Sequence, residues 1–163
     1  MDNCAKRPGH RALRRGRCSV QGHAYLITTV CARRAPRFRD WACASAVAAT
    51  LAQTRLWRDT RLECWVLMPD HLHVLVTLGD ETLPQLLRRV KAVTSSVANC
   101  ASGRKREPLW MRGYHDHALR REQDLLVVAR YVIANPLRAG LVATVGDYPY
   151  WDARWLNGSG DIV

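Results

Sequence analysis

The first clear pattern along the chain is Tyr25-Leu26-Ile27-Thr28-Thr29-Val30-Cys31, a β-branched and aromatic run that predicts a strand and ends in the Arg33-Arg34-Ala35-Pro36-Arg37 turn. From Trp41 to about Arg58 the chain is rich in Ala, with Val47, Leu51 and Trp57 at helical spacing, which predicts a first helix. Two apolar runs, Leu62 to Met68 and Leu72 to Thr77, flank Pro69-Asp70, a turn pair that folds them into a hairpin. Between Thr82 and about Cys100, Leu83, Leu86, Leu87, Val90, Val93 and Val97 form one stripe. Pro84 suits the first turn of this second helix, and Arg88, Arg89 and Lys91 give it a basic flank. After the polar loop Ala101 to Pro108, Leu109 to Arg120 reads as a strand interrupted near Gly113, and Glu122 to about Ala134 as a third helix stopped by Pro136. The remainder has turn residues and aromatics but little period.

The order β-α-β-β-α-β with a further helix predicts an α+β protein: a split βαβ antiparallel sheet with helices on one face. The open face of such a sheet is the natural place for a site. No repeat or linker divides the chain, so residues 23–163 are expected to form one domain behind a basic arm at 1–22.

Charge narrows the partners. The chain has 163 residues and a formal net charge of +11, with 25 Lys and Arg against 14 Asp and Glu, which favours an extended polyanion and puts nucleic acid first. Lysine occurs only as Lys6, Lys91 and Lys105, so arginine carries nearly all of that charge. Neither a membrane-length apolar stretch nor a signal peptide's apolar core is visible, so a cytoplasmic protein is expected. The cysteines, Cys4, Cys18, Cys31, Cys43, Cys64 and Cys100, show no CxxC or zinc-ribbon spacing and read as reduced apolar residues.

The candidate chemistry begins at His71-Leu72-His73. In a strand these two imidazoles share one face and Leu72 takes the other, which makes them potential metal ligands. Taken alone, such a pair is more often surface polarity than a metal site. A divalent ion needs further ligands. Tyr131 and Asn135 stand four residues apart in the third helix, rotated by only about 40°. If that face meets the histidines, Asn135 can complete the coordination and Tyr131 can direct its hydroxyl at a phosphate. That arrangement suits nucleophilic phosphoryl transfer on DNA through a covalent phosphotyrosine. Tyr114 competes for the nucleophile's role, beside His115 and His117, but has no helical partner like Asn135. His115 and His117 are expected on one strand face, as a second metal pair or, in preference, in a structural or DNA-contacting role with His117 hydrogen-bonded near the site.

The apolar strand ending in Pro69-Asp70-His71-Leu72-His73, the segment Trp110…Asp116-His117-Ala118-Leu119-Arg120, and Tyr131-Val132-Ile133-Ala134-Asn135-Pro136-Leu137-Arg138-Ala139-Gly140 together resemble the REP-associated tyrosine transposases, which belong with the single-tyrosine HUH transposases of small insertion sequences. The likeness runs from about Tyr25 to Trp151, and Arg14-Arg15-Gly16-Arg17 resembles the arm often seen there. The resemblance implies a ferredoxin-like fold of HUH endonuclease type and Mg²⁺ or Mn²⁺. It makes His71, His73 and Asn135 the ligands and Tyr131 the nucleophile. Related insertion-sequence transposases usually carry Gln where this chain has Asn135, so a shorter side chain must reach the metal.

The implied substrate is single-stranded DNA with a REP hairpin, cleaved to a 5′-phosphotyrosine and a free 3′-OH, by a monomer or homodimer. The residues expected to touch DNA are Arg14, Arg15 and Arg17 of the arm, Arg33 and Arg34, Arg88, Arg104, Lys105, Arg106, Trp110, Tyr114, His117 and Arg120. Two other readings stay open: a hydrolytic nuclease that makes no covalent intermediate, and a hairpin-binding protein without catalysis.

Overall fold

A computed structural model of the chain describes residues 19–119 and 123–155, the side chains of Gln123 and Asp124 excepted. The sheet is built from β1 (Ala24–Val30), β2 (Arg61–Met68), β3 (His71–Thr77), β4 (His115–Ala118) and β5 (Trp151–Ala153). Their order is β4-β1-β3-β2-β5, and every neighbouring pair is antiparallel. The helices are α1 (Trp41–Leu51), α2 (Thr54–Trp57), α3 (Leu83–Ala101), α4 (Gln123–Ile133) and α5 (Asn135–Arg138). None of the described helices is long and apolar enough to cross a membrane.

Side-chain alternation along the strands divides the interior in two. Ile27, Leu67, Leu72, Val74 and Val76 point to one face, where α1 and α3 bring Val47, Leu51, Leu86 and Val90 against them. Cys64, Val66, Met68 and Leu75 point to the other, where α4 covers them with Leu125, Ala129, Val132 and Ile133. The two helices of the split βαβ unit therefore share one face, as the pattern predicts, and the C-terminal helix closes part of the opposite one.

Local signals explain several boundaries. The Asp40 carboxylate accepts from Cys43 N at 2.7 Å to start α1, while Thr82 and Gln85 cap α3 reciprocally in front of Pro84. The long helix expected from Trp41 to Arg58 is two, α1 and α2, broken at Ala52-Gln53. The third helix ends at Ile133, and Pro136, expected only to stop it, sits in the first turn of α5. Its missing N–H costs nothing there and its ring fixes the right φ. The strand expected over Leu109 to Arg120 shrinks to β4, preceded by an isolated bridge between Cys31 and Trp110. β5, too short to show a period, is an addition.

The far end of the β2–β3 hairpin is fastened by a buried carboxylate. The register slips between Leu62 and Cys64, so Glu63 is the extra residue of a bulge. Its carboxylate accepts from Arg61 Nε at 2.6 Å, Thr77 Oγ1 at 2.6 Å and Arg154 at 3.1 Å. A fully buried carboxylate is tolerated only with such partners.

Candidate active site

Register places the histidines. In β3, His71 lies opposite Met68 of β2 and Val30 of β1, and His73 lies opposite Val66 and Thr28. Both rings emerge on the face that α4 covers, and Leu72 is buried on the other, as alternation requires. Their Nε2 atoms are 3.1 Å apart and their rings meet edge to face.

The remaining ring nitrogens are occupied. His71 Nδ1 meets Asp70 Oδ1 at 2.5 Å, and His73 Nδ1 meets Thr28 Oγ1 at 2.8 Å. Groups on Nδ1 fix ring orientation and favour the tautomer whose Nε2 lone pair is free, the arrangement found behind metal-bound histidines. Burial, then the neighbouring His71 and the Arg138 charge, lowers the His73 pKa to about 4. His73 is therefore neutral near pH 7, the form that ligates. Both sets of observations fit a divalent cation held by two Nε2 atoms.

Among the described residues no three His, Cys, Asp or Glu side chains gather around a common point. Asp70 is engaged with His71 and, at 3.5 Å, with Arg34. Asn135, the expected third ligand, is a neutral amide held by its own segment. Its Nδ2 donates to Val132 O at 2.8 Å, which turns Oδ1 outward, where Arg138 donates to it at 2.6 Å. An amide oxygen has two lone pairs, so one remains after that bond.

Tyr131 and Asn135 lie on consecutive helices rather than on one, because the backbone breaks at Ala134. Arg138 reconnects them. Its guanidinium stacks on the Tyr131 ring at 3.7 Å, donates to Tyr131 O at 2.8 Å and holds Asn135 Oδ1. The same charge is felt at His73. Tyr131 is 60% exposed, beside the buried Val132 and Ile133.

The expected DNA-contact residues divide sharply. Arg33, Arg34, Arg88, Arg104, Lys105, Arg106 and His117 are exposed, whereas Arg14, Arg15, Arg17 and Arg120 lie outside the described residues. Trp110 is a correction. It is buried at 8% exposure, its Nε1 donates to Thr94 Oγ1 at 2.9 Å and its ring packs on Phe38, so it offers no face to a base. Tyr114 is half-buried against the same core beneath Lys91. Two cations of the α3 flank also have internal tasks: Arg89 binds Glu81 and Leu56 O, and Lys91 donates to Met111 O and Gly113 O. His115 and His117 face the same side as the histidine pair, opposite Thr28 and Leu26 on the edge strand.

Sequence reasoning took Asp70 for a turn residue and passed over Thr28 and Arg138. Asp70 was detectable from its place directly before His71. Thr28 needed the β1–β3 register.

The profile of the family described as "Transposase IS200 like" matches residues 19–135. The chain belongs to this family. A REP-associated tyrosine transposase of Escherichia coli (strain K12) is 30% identical over 95 residues, 57% of this chain and 54% of the relative. A Haemophilus influenzae (strain Rd) protein named for the same group is 26% identical over 94 residues, 52% and 53% of the two chains. The chain thus spans about half the length of the curated relatives it matches. A solved structure of a REP-associated tyrosine transposase bound to a REP hairpin superposes with a TM-score of 0.61 at 24% identity, over 83% of this chain and 79% of that one. At that identity the superposition establishes the fold.

Proposed function

We propose that the chain is a divalent-metal-dependent transposase that cleaves and rejoins single-stranded DNA at REP-type hairpins through a 5′-phosphotyrosine on Tyr131. The observation that carries this reading is the convergence of the His71 and His73 Nε2 atoms at 3.1 Å, each ring held from behind, on the face that α4 covers. Family membership and the named relatives support the substrate class.

His71, His73 and Asn135 would hold Mg²⁺ or Mn²⁺. The bound ion supplies Lewis-acid polarisation of the scissile phosphate and charge neutralisation. The exposed Tyr131 hydroxyl attacks phosphorus, the bond to the 3′-oxygen breaks, and the phenol proton passes overall to that departing oxygen. The products are a 5′-phosphotyrosine and a 3′-OH. Attack by a 3′-OH on the phosphotyrosine reverses the step and restores Tyr131, so the ester bond energy is kept for rejoining. Arg138, stacked on the Tyr131 ring, orients the phenol and places a cation where the phosphate arrives.

The test uses labelled hairpin oligonucleotides with Mn²⁺ on a denaturing gel. A protein-linked DNA band is expected from the wild-type chain and none from Tyr131→Phe. Free cleavage product from that variant would instead leave a hydrolytic nuclease, and binding without cleavage by the wild type a hairpin-binding protein.

A further inference from the structure

One row of side chains crosses the whole sheet: Trp151, Val66, His73, Thr28 and His115 are partners in register from β5 to β4. Antiparallel partners put their side chains on the same face, so His115 shares the face of the histidine pair. The neighbouring row runs through Cys64, Leu75 and Leu26 to His117. Burial falls along both rows. Val66, Cys64 and Leu75 are fully buried on the face that α4 covers, Thr28 and Leu26 of β1 are half-buried, and His115 and His117 of β4 are exposed. The face that α4 closes over β2 therefore opens toward the edge strand.

Thr28 joins the two sets of histidines. Its Oγ1 meets His73 Nδ1 at 2.8 Å, and its backbone pairs with that of His115. Neighbouring strands lie about 4.8 Å apart, so His115 is rooted about 10 Å from His73 with only β1 between them. A phosphate held at the facing Nε2 atoms thus has further imidazoles on open surface, about one or two nucleotides away along an extended strand. Nothing on β1 or β4 repels an anion there. Asp116 is opposite Ile27 and points to the other face, and the β1 side chains beside the histidines, Leu26 and Thr28, are uncharged. A neutral imidazole keeps one N–H to donate, and a protonated one has two.

We propose that the DNA strand flanking the scissile phosphate crosses the open half of the sheet over β1 and reaches β4, where His115 and His117 donate to its backbone phosphates. The assignment rests on the reading of the substrate as single-stranded DNA, and adds the direction in which the strand runs from the cut and the groups that hold it. Contacts to phosphate fix register without reading sequence, so the two histidines position the strand rather than select it.

The experiment measures equilibrium binding by fluorescence anisotropy, in EDTA, so that it does not depend on cleavage. The probes are a blunt palindromic hairpin, the same hairpin with a thymidine tail on one side or the other, and tailed hairpins in which a single linkage of the tail is a neutral methylphosphonate. For the wild type a tail on one side is expected to tighten binding, and neutralising about one or two of its linkages to weaken it about three- to tenfold. The double variant His115→Ala, His117→Ala should lose a similar factor on the unmodified tail and show no further loss at those linkages. Binding of the blunt hairpin and the melting temperature should not change, since both side chains are exposed. Methylphosphonates that weaken the double variant as much as the wild type would overturn the proposal. So would a tail that adds nothing to wild-type binding, or equal weakening of blunt and tailed probes in the double variant, which would assign the histidines to the duplex. Absence of a covalent product on the denaturing gel, with these affinities as expected, would remove the transposase chemistry and leave the strand path standing.

Discussion

At the scale of single residues, the site is a chain of contacts. It runs from Arg34 to Asp70, to His71, across the facing Nε2 atoms to His73 and on to Thr28. Its ends decide the state of its middle, because a ring whose Nδ1 is held presents Nε2 in one direction only. Partners behind metal-ligating histidines typically contribute ten- to a hundredfold in affinity. Asp70→Ala is therefore expected to raise the Mn²⁺ dissociation constant by about 10–100-fold in a calorimetric titration, with little change in melting temperature, since the side chain is half-exposed. Unchanged affinity would show that Asp70 serves only the turn.

At the scale of elements, α3 and the Trp110 segment share a buried hydrogen bond. Thr94 Oγ1 donates to Val90 O at 2.7 Å within the helix and accepts from Trp110 Nε1. Thr94→Val keeps the shape and strands the indole N–H in the core. A loss of about 1–3 kcal/mol follows, visible as a lower midpoint in urea unfolding with no change in slope. That element was only half legible in sequence. The α3 stripe and its Thr82–Gln85 cap are local patterns, and the His71-Leu72-His73 alternation is local too, so both could be read directly. Whether Trp110 faces a base or Phe38 depends on a partner sixteen residues away and on the bridge to Cys31, which no local period records. Tyr131 and Asn135 were legible as a pair by spacing. The break at Ala134 and the guanidinium that rejoins them were not, because Pro136 admits both the end of one helix and the start of another.

At the scale of the whole molecule, burial of His73 ties the site to stability. Its pKa is about 4 in the folded chain against an ordinary 6.5, so between those values the unfolded chain binds the proton and the folded one does not. Stability is thus full above pH 6.5 and falls as the solution is acidified toward about 4. In EDTA, the melting temperature should fall through that window, and His73→Gln should flatten the fall. The self-repulsion of a chain with net charge +11 also grows on acidification, but equally in both proteins, so the difference between them isolates the imidazole. A wild type and variant with parallel profiles would contradict the assignment.

The β2–β3 hairpin keeps its strongest fastening at the end away from the histidines. Glu63, Arg61, Thr77 and Arg154 are bound together there, while His71 opens the strand at the opposite tip. Chemistry and cohesion are therefore invested separately in one pair of strands. A copy whose reactive tip decays by mutation keeps the latch that gives it shape, along with the arginine-lined surface. On the function proposed above, such a chain would lose cleavage and keep its shape and its binding surface.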